Sequence, residues 1–227
     1  MAVQLGFDLP VHTARGRGDF MIAPSNAMAV AMIGNWRDWP GAKMVLTGPR
    51  GAGKTHLVHV WAEMAQARII TASGLREADV PGLAQGNIAV EDVPALAADA
   101  TAQTALFHLH NMVLAEGHAL LMTGTGSPAR WGLTLPDLAS RLQGTLEATI
   151  DAPDDALLAA VLVKLLGDRQ LTPPADLIPY LLRRMDRSFA AASQIVRALD
   201  RESLARRRPL TRALAATVLD NQSSPAR

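Results

Sequence analysis

The stretch Met44-Val45-Leu46-Thr47-Gly48-Pro49-Arg50-Gly51-Ala52-Gly53-Lys54-Thr55-His56-Leu57 decides the fold. A short apolar run is followed by a loop containing three glycines, and helical spacing starts at Lys54. This pattern predicts a strand, a tight loop and a helix, which is the context of a phosphate-binding P-loop. Glycines allow loop torsions that a Cβ forbids, and a helix N-terminus attracts anions. A glycine-rich turn between strand and helix that binds nothing is the alternative.

The predicted loop assigns roles to its residues. Lys54 supplies a point charge for the β- and γ-phosphates of a nucleotide, and the Thr55 hydroxyl is the expected ligand of Mg²⁺. The backbone of the whole loop is expected to surround the phosphates, so the nucleotide contacts are predicted at Gly48, Pro49, Arg50, Gly51, Ala52, Gly53, Lys54, Thr55 and His56.

Composition limits the class of protein. The chain has 227 residues, of which 49% are apolar and 19% charged, so a main globular domain with a smaller addition is expected. It contains no cysteine, which excludes a disulfide framework and thiolate metal sites. The N-terminus lacks the pattern of a signal peptide and no apolar run is long enough to span a membrane, so we expect a cytoplasmic protein. A net charge of +1 provides no general attraction to nucleic acid.

Further strands are predicted downstream of the P-loop, at 68–72, 87–93, 118–123 and 145–150. Apolar strands joined by helices predict a five-stranded parallel sheet covered on both faces, that is, an α/β domain over residues 20–152. The third strand ends in Glu91 and Asp92, where a P-loop enzyme needs carboxylates, with Glu91 on the metal side and Asp92 beside the attacking water. Thr123 and Thr125 could reach a γ-phosphate, although a turn threonine is the simpler interpretation.

Only helical periods follow, at about 154–167, 174–185, 188–207 and 209–220. They predict a small all-α lid domain over residues 153–220 with a tail at 221–227. Arginines are concentrated in this part of the chain. Most are expected on a solvated face, and the run Arg206-Arg207-Arg208 could also contact phosphate or a partner.

The N-terminal segment 1–19 has no helical period and is predicted to be an arm. Its residues Gln4-Leu5-Gly6-Phe7-Asp8-Leu9-Pro10 place apolar side chains at alternate positions behind a glutamine. This spacing suits an extended peptide in the apolar pocket of a partner, and it suits an edge strand of the chain's own sheet equally well. A helix is expected from Ala27 to about Trp36, with Ser25 as its N-cap.

Four segments together resemble a known family. They are FMIAPSNAMA (20–29), the P-loop, LPDLASRL (135–142) and RSFAAASQIVRALDR (187–201). A P-loop α/β domain with a helical lid looks like an AAA+ module, and these details are similar to the replication initiator DnaA and, more closely, to its shortened relatives that inactivate it. The likeness covers nearly the whole chain.

The resemblance implies several roles. Gln4, Leu5, Phe7 and Leu9 match a motif that docks on the β sliding clamp of the replicative polymerase. Arg141 matches the arginine finger that reaches the nucleotide of a neighbouring subunit. Ile22, Ala23 and Asn26 fall where the family lines its adenine pocket. Adenine nucleotide (ADP or ATP) with Mg²⁺ is therefore the expected cofactor, and the clamp and DnaA are the expected partners.

Two departures from the family pattern affect catalysis. The position of the lid's sensor arginine is occupied by Ala190, and Arg187, one helical turn earlier, could replace it. The acidic pair is Glu91-Asp92, whereas the family has aspartate before glutamate. Both changes predict weak turnover by the chain itself.

Three functions are compatible with this sequence. The favoured one is a regulator, tethered to the clamp, that triggers hydrolysis of ATP on DnaA; a homodimer is also compatible. A self-contained ATPase or P-loop kinase is the second. An adaptor that targets DNA is the third, although the seven residues 221–227 are too few for a helix-turn-helix domain, so DNA is expected to be reached only through the clamp.

Overall fold

A computed structural model of the chain describes residues 21–206 and 209–223. Five parallel strands form one sheet in the order β2-β3-β4-β1-β5. The strands are β1 (Lys43–Thr47), β2 (Arg68–Thr71), β3 (Ile88–Glu91), β4 (Leu120–Gly124) and β5 (Leu146–Thr149). The predicted five-stranded parallel sheet is therefore confirmed, with each strand within a few residues of its expected place.

Within the described ranges the α-helices follow the predicted order, with one short addition. The α/β part contains α1 (Ala27–Gly34), α2 (Lys54–Ala65), α3 (Val80–Leu83), α4 (Ala100–Ala115) and α5 (Pro136–Gln143). The C-terminal part contains α6 (Asp155–Gly167), α7 (Leu177–Leu182), α8 (Phe189–Arg206) and α9 (Arg212–Ser223). The four-residue helix α3 was not predicted. Helix α7 is shorter than the periodic segment 174–185 because the pattern marks the buried face and not the ends of the helix.

The side chains of β1 alternate between two cores. Val45 packs on one face of the sheet with residues of α4 and α5. Met44 and Leu46 pack on the other face with α1 and α2. Since strand residues alternate in direction, a nearly continuous apolar run is what a sheet covered on both faces requires.

Three tryptophans close the second core. Trp61 of α2 is fully buried and stacks on Trp39, with ring centroids 5.5 Å apart and planes 20° from parallel. Trp36 meets the same ring edge-on at 6.3 Å. The indole N–H of Trp39 donates to the carbonyl of Met32 at 2.8 Å. This cluster fixes α1 against the P-loop helix.

The four C-terminal helices pack around a separate apolar cluster that includes Leu162, Leu181, Ile195 and Leu199. The structure thus contains the predicted all-α part after the sheet. No helix in the described part of the chain is long and apolar enough to span a membrane.

Candidate nucleotide site and the Arg141 edge

The loop between β1 and α2 has the backbone of a tight cradle. Gly48, Gly51 and Gly53 have φ angles of 150°, 74° and 104°, a region that residues with a Cβ rarely adopt. A Cβ on Gly48 would overlap the carbonyl of Ile150, and one on Gly51 would overlap Ser188. These two glycines are therefore required both by torsion and by the closeness of neighbouring chain.

Lys54 begins α2 and turns its ammonium back towards the loop. Its Nζ donates to the carbonyls of Gly48 at 2.7 Å and Pro49 at 2.9 Å. Burial lowers the pKa of Lys54 below its ordinary value, while the carboxylates of Asp92 and Glu91 act in the opposite direction. The ammonium is thus held at the mouth of the loop, where an anion would replace the carbonyl oxygens as its partner.

The acidic pair lies at the carboxyl end of the sheet, on the P-loop side. Glu91 is the last residue of β3, and Asp92 follows it with a left-handed backbone at φ 60°. The N–H of Asp92 donates to the Thr123 hydroxyl of β4 at 3.1 Å. Glu91, Asp92, Thr123 and Lys54 therefore lie around one edge, whereas Thr125 is exposed beyond the end of β4. The roles predicted for these residues stay predictions.

The segment before α1 is held by Asn26, which is 2% exposed. Its Oδ1 accepts the N–H of Ala23 at 2.9 Å, and its Nδ2 donates to the carbonyl of Met21 at 3.0 Å. Ile22 is 66% exposed between these contacts. The interpretation of Ser25 as the N-cap is wrong: Asn26 occupies that position, and the buried Ser25 hydroxyl makes no hydrogen bond. The segment expected to line the adenine pocket is thus ordered by the side chain of Asn26.

The first turn of α8 lies directly on the cradle. The N–H of Phe189 donates to the carbonyl of Gly51 at 2.9 Å, and the Phe189 ring would lie 3.1 Å from a Cβ on Gly53. Ala190 approaches the same loop, and its assignment to the family's sensor position stays a prediction. Arg187 instead forms an ion pair with Asp155 at 3.0 Å, and both side chains are more than half exposed. The structure therefore gives Arg187 a partner other than the loop.

Helix α5 presents Arg141 near its C-terminus. The side chain is exposed, and its guanidinium carbon lies 5.2 Å from the centroid of the Phe107 ring of α4. This is the geometry of a cation–π contact. The carbonyl of Arg141 accepts hydrogen bonds from the Thr145 hydroxyl at 2.7 Å and from Lys43 Nζ at 3.5 Å.

Sequence reasoning missed three residues that hold helix α5: Lys43 and His110 near Arg141, and Gln103 at the start of the helix. They carry no motif, and each has at least one partner that is distant along the chain. The one available signal was polarity on an otherwise apolar face, since Gln103 and His110 are 0% and 1% exposed. The large majority of buried polar side chains are hydrogen-bonded, so both positions indicated a structural network.

The residues present fit a nucleotide with Mg²⁺. The loop glycines Gly48, Gly51 and Gly53 have positive φ angles and no side chains, the first N–H groups of α2 lack helical partners by geometry, and Lys54 supplies the cation. Mg²⁺ in such sites is held mainly by phosphates, one hydroxyl and waters, for which Thr55 and Glu91 are the candidates. Within the described ranges no group of three or more His, Cys, Asp or Glu side chains could hold a metal without phosphates.

The predicted clamp-binding residues Gln4, Leu5, Phe7 and Leu9 lie outside the described residues. So do Arg207 and Arg208 of the arginine run.

Solved structures with this architecture include initiators and other ATPases. Domain III of the Thermotoga maritima replication initiation protein DnaA matches with a TM-score of 0.81 at 18% identity, over 96% of this chain and 100% of that chain. DnaA from Aquifex aeolicus bound to AMPPCP gives 0.68 at 18% identity, over 83% of this chain and 67% of that chain. The FIGL-1 AAA domain in complex with ADP matches with a TM-score of 0.64 at 14% identity, over 86% of this chain and 78% of that chain.

No family model matches the sequence. The identities are low, so the comparisons establish the fold alone. The fold is a DnaA-like AAA+ fold, which confirms the predicted fold class.

Proposed function

We propose that this protein is a regulatory AAA+ protein of the Hda type that triggers hydrolysis of ATP on the initiator DnaA. It holds ADP or ATP with Mg²⁺ in its own P-loop and binds the β sliding clamp through Gln4, Leu5, Phe7 and Leu9. It offers Arg141 to the triphosphate of a DnaA subunit. The protein acts in the cytoplasm and meets DNA only through the clamp.

The single observation that carries this proposal is the place of Arg141. Lys43, which contacts the Arg141 carbonyl, is the first residue of β1, while the P-loop follows the last residue, Thr47. Four steps of about 3.3 Å each separate the ends of this strand by roughly 13 Å. The backbone of Arg141 is therefore held near the amino end of β1, whereas the P-loop of the same chain lies at the carboxyl end. An exposed arginine there is suited to the nucleotide of a neighbour.

The chemistry of such a contact is electrostatic. A guanidinium beside a γ-phosphate stabilises the charge that spreads over the phosphoryl oxygens in the transition state, and an arginine finger is worth about 10³ to 10⁵ in rate. The Phe107 ring supports the guanidinium from one side without neutralising it. Arg141 therefore keeps its charge and its hydrogen-bond donors for a partner.

The chain's own nucleotide has a structural role in this proposal. Ala190, at the position predicted for a lid cation, lies beside Gly51 of the loop, and Arg187 is paired with Asp155. The α/β domain (20–152) and the lid domain (153–220) are then two units joined through a nucleotide that is turned over slowly. The arm (1–19) supplies the tether to the clamp.

The deciding experiment measures hydrolysis of ATP by DnaA in the presence of clamp loaded on DNA. Arg141→Ala should lower the stimulated rate by a factor of about 10³ or more. Arg197→Ala is the matched control, because Arg197 is also an exposed helical arginine but lies on α8. An Arg141→Ala protein as active as the parent would overturn the proposed role.

The tether is tested separately. A clamp pull-down with Gln4→Ala should lose retention, whereas Arg141→Ala should be retained like the parent. Retention of Gln4→Ala at the parent level would contradict the role of the arm.

One observation favours a second function, an ATPase that acts alone. Glu91 and Asp92 both act electrostatically on Lys54, so carboxylates lie close to the cradle where metal and water would be needed. Under this alternative the chain hydrolyses ATP without clamp or DnaA, and Asp92→Asn abolishes that turnover. Turnover of well below one per minute by the isolated chain would exclude it in favour of the regulator.

A further inference from the structure

Helix α5 is fixed at its start by one buried amide from α4. The Gln103 Oε1 accepts the N–H groups of Thr134 at 2.9 Å and Leu135 at 3.0 Å. Its Nε2 donates to the carbonyl of Leu96 at 2.9 Å. Since Leu135 occupies the N-cap position of α5, this amide sets where the helix begins. The start of α5 is thus tied to α4.

The end of α5 needs other partners for its carbonyls. The last carbonyls of a helix lack N–H donors from a following turn, and the N–H of Thr145 goes to Leu142. The Arg141 carbonyl is instead satisfied by side chains, the Thr145 hydroxyl at 2.7 Å and, at the long end of the hydrogen-bond range, Lys43 Nζ at 3.5 Å. A cation at this place also interacts favourably with the helix dipole.

Lys43 has a second partner that determines its direction. Its Nζ lies 3.2 Å from Nε2 of His110, and Nδ1 of the same ring lies 3.3 Å from Oδ1 of Asn111. An ammonium only donates, so Nε2 has to accept and the ring proton has to be on Nδ1, where it faces the Asn111 oxygen. His110 is therefore neutral, and Lys43 is held between two acceptors, one on α4 and one on α5.

Electrostatic attraction does not explain this placement. Among the described residues no carboxylate forms an ion pair with Lys43. Burial lowers the pKa of Lys43, and the Arg141 guanidinium, which repels the ammonium, acts in the same direction. The half-buried Lys43 ammonium is therefore stabilised by its two acceptors, Nε2 of His110 and the carbonyl of Arg141.

We propose that Lys43 is a positioning residue for Arg141. It links the carbonyl of Arg141 to His110 of α4, one helical turn from Phe107, which supports the guanidinium. Helix α4 thereby positions both ends of Arg141. It holds the backbone carbonyl through His110 and Lys43, and the guanidinium through Phe107. This inference rests on the proposed function, in which Arg141 acts on the triphosphate of a neighbour.

The kinetic test uses the full chain with clamp loaded on DNA and ATP-bound DnaA. Lys43→Met should lower the maximal stimulated rate by about ten- to a hundredfold, because small displacements of a catalytic group have costs of this size. The concentration that gives half the maximal stimulation should stay within about twofold, since no contact with the partner is removed. Lys43→Arg should restore most of the rate. Lys164→Met, which removes a partly exposed lysine of α6 that pairs with Asp168, is the matched control and should behave like the parent.

A second measurement follows Arg141 without any partner. The NMR signal of the Arg141 Nε–H, shifted by the ring current of Phe107, should move towards that of a free arginine in Lys43→Met and remain in Lys43→Arg. The melting temperatures of all variants are measured beside it, so that unfolding is recognised.

The two readouts separate the inference from the function beneath it. If Arg141→Ala leaves stimulation intact while the NMR signal of Arg141 moves in Lys43→Met, the proposed function is refuted and the positioning role of Lys43 is supported. If Arg141→Ala abolishes stimulation while Lys43→Met keeps the parent rate and the parent signal, the positioning role is overturned.

Discussion

The buried imidazole of His110 makes stability depend on pH in a defined window. His110 is 1% exposed, and burial together with the Lys43 charge lowers its pKa from 6.5 to about 4. Between pH 6.5 and about 4, His110 is protonated in the unfolded chain and neutral in the folded chain. The contribution to stability is therefore present above pH 6.5 and is lost as the pH falls towards 4.

The size of this effect follows from the two pKa values. With 6.5 in the unfolded and about 4 in the folded chain, lowering the pH from 7 to 5 removes about 2 kcal/mol. Because Lys43 is half exposed and water screens its charge, a loss of roughly 1 to 2 kcal/mol is the expectation.

Urea unfolding at pH 7, 6 and 5 measures the loss for the parent and for His110→Gln. The glutamine oxygen can still accept from Lys43 but takes up no proton, so the variant should lose less stability than the parent by that amount over this range. His108→Gln, on the exposed side of the same helix, is the matched control and should follow the parent. Parallel stability curves for the parent and His110→Gln would refute the neutral, buried state of this ring.

Three other outcomes are expected. Ala190→Arg places a cation over the loop and should raise the affinity for ATP relative to ADP, measured by calorimetry; an unchanged ratio would contradict the position inferred for residue 190. Gly51→Ala puts a Cβ at φ 74° against Ser188, and should lower nucleotide affinity at least tenfold with the sheet intact by circular dichroism. Trp61→Ala removes the fully buried ring beneath Trp39 and should cost about 3 to 5 kcal/mol of unfolding free energy in urea; a loss below 1 kcal/mol would show that the cluster is not tightly packed.

The sheet and the cradle could be predicted because their signals are local. Gly48, Gly51 and Gly53 are demanded by torsions within a few residues of each other, and the apolar run 44–46 directly precedes them. Lys54 and the acids at 91 and 92 then follow from the rule that parallel strands bring their carboxyl ends together. Such features need no knowledge of which helix packs where.

The surroundings of Arg141 could not be predicted, because they depend on contacts between distant parts of the chain. Lys43 and His110 are 67 residues apart, and Lys43 and the Arg141 carbonyl 98. Their meeting requires the angle at which α4 crosses the sheet and the end of α5, and neither is encoded in a local period. The error at Ser25 has a different cause, since Asn26 occupies the N-cap position and its amide, which both donates and accepts, bonds to the preceding backbone at Met21 and Ala23.

The predicted nucleotide cradle and Arg141 lie at opposite ends of the strands of the sheet, and this arrangement limits how the molecule can meet a neighbour under the proposed function. A partner whose triphosphate contacts Arg141 approaches the end of α5, while a partner whose own cation reaches Lys54 has to approach the carboxyl edge. Such a surface is heterologous: one end of a molecule meets the other end of the next. A symmetric dimer would pair like edges and would leave each Arg141 without a nucleotide to contact. Under the proposed function, stimulation of DnaA therefore requires a head-to-tail contact. A charge reversal such as Arg141→Glu should then abolish stimulation while leaving the chain's own nucleotide affinity unchanged, because the length of β1 separates Arg141 from the cradle.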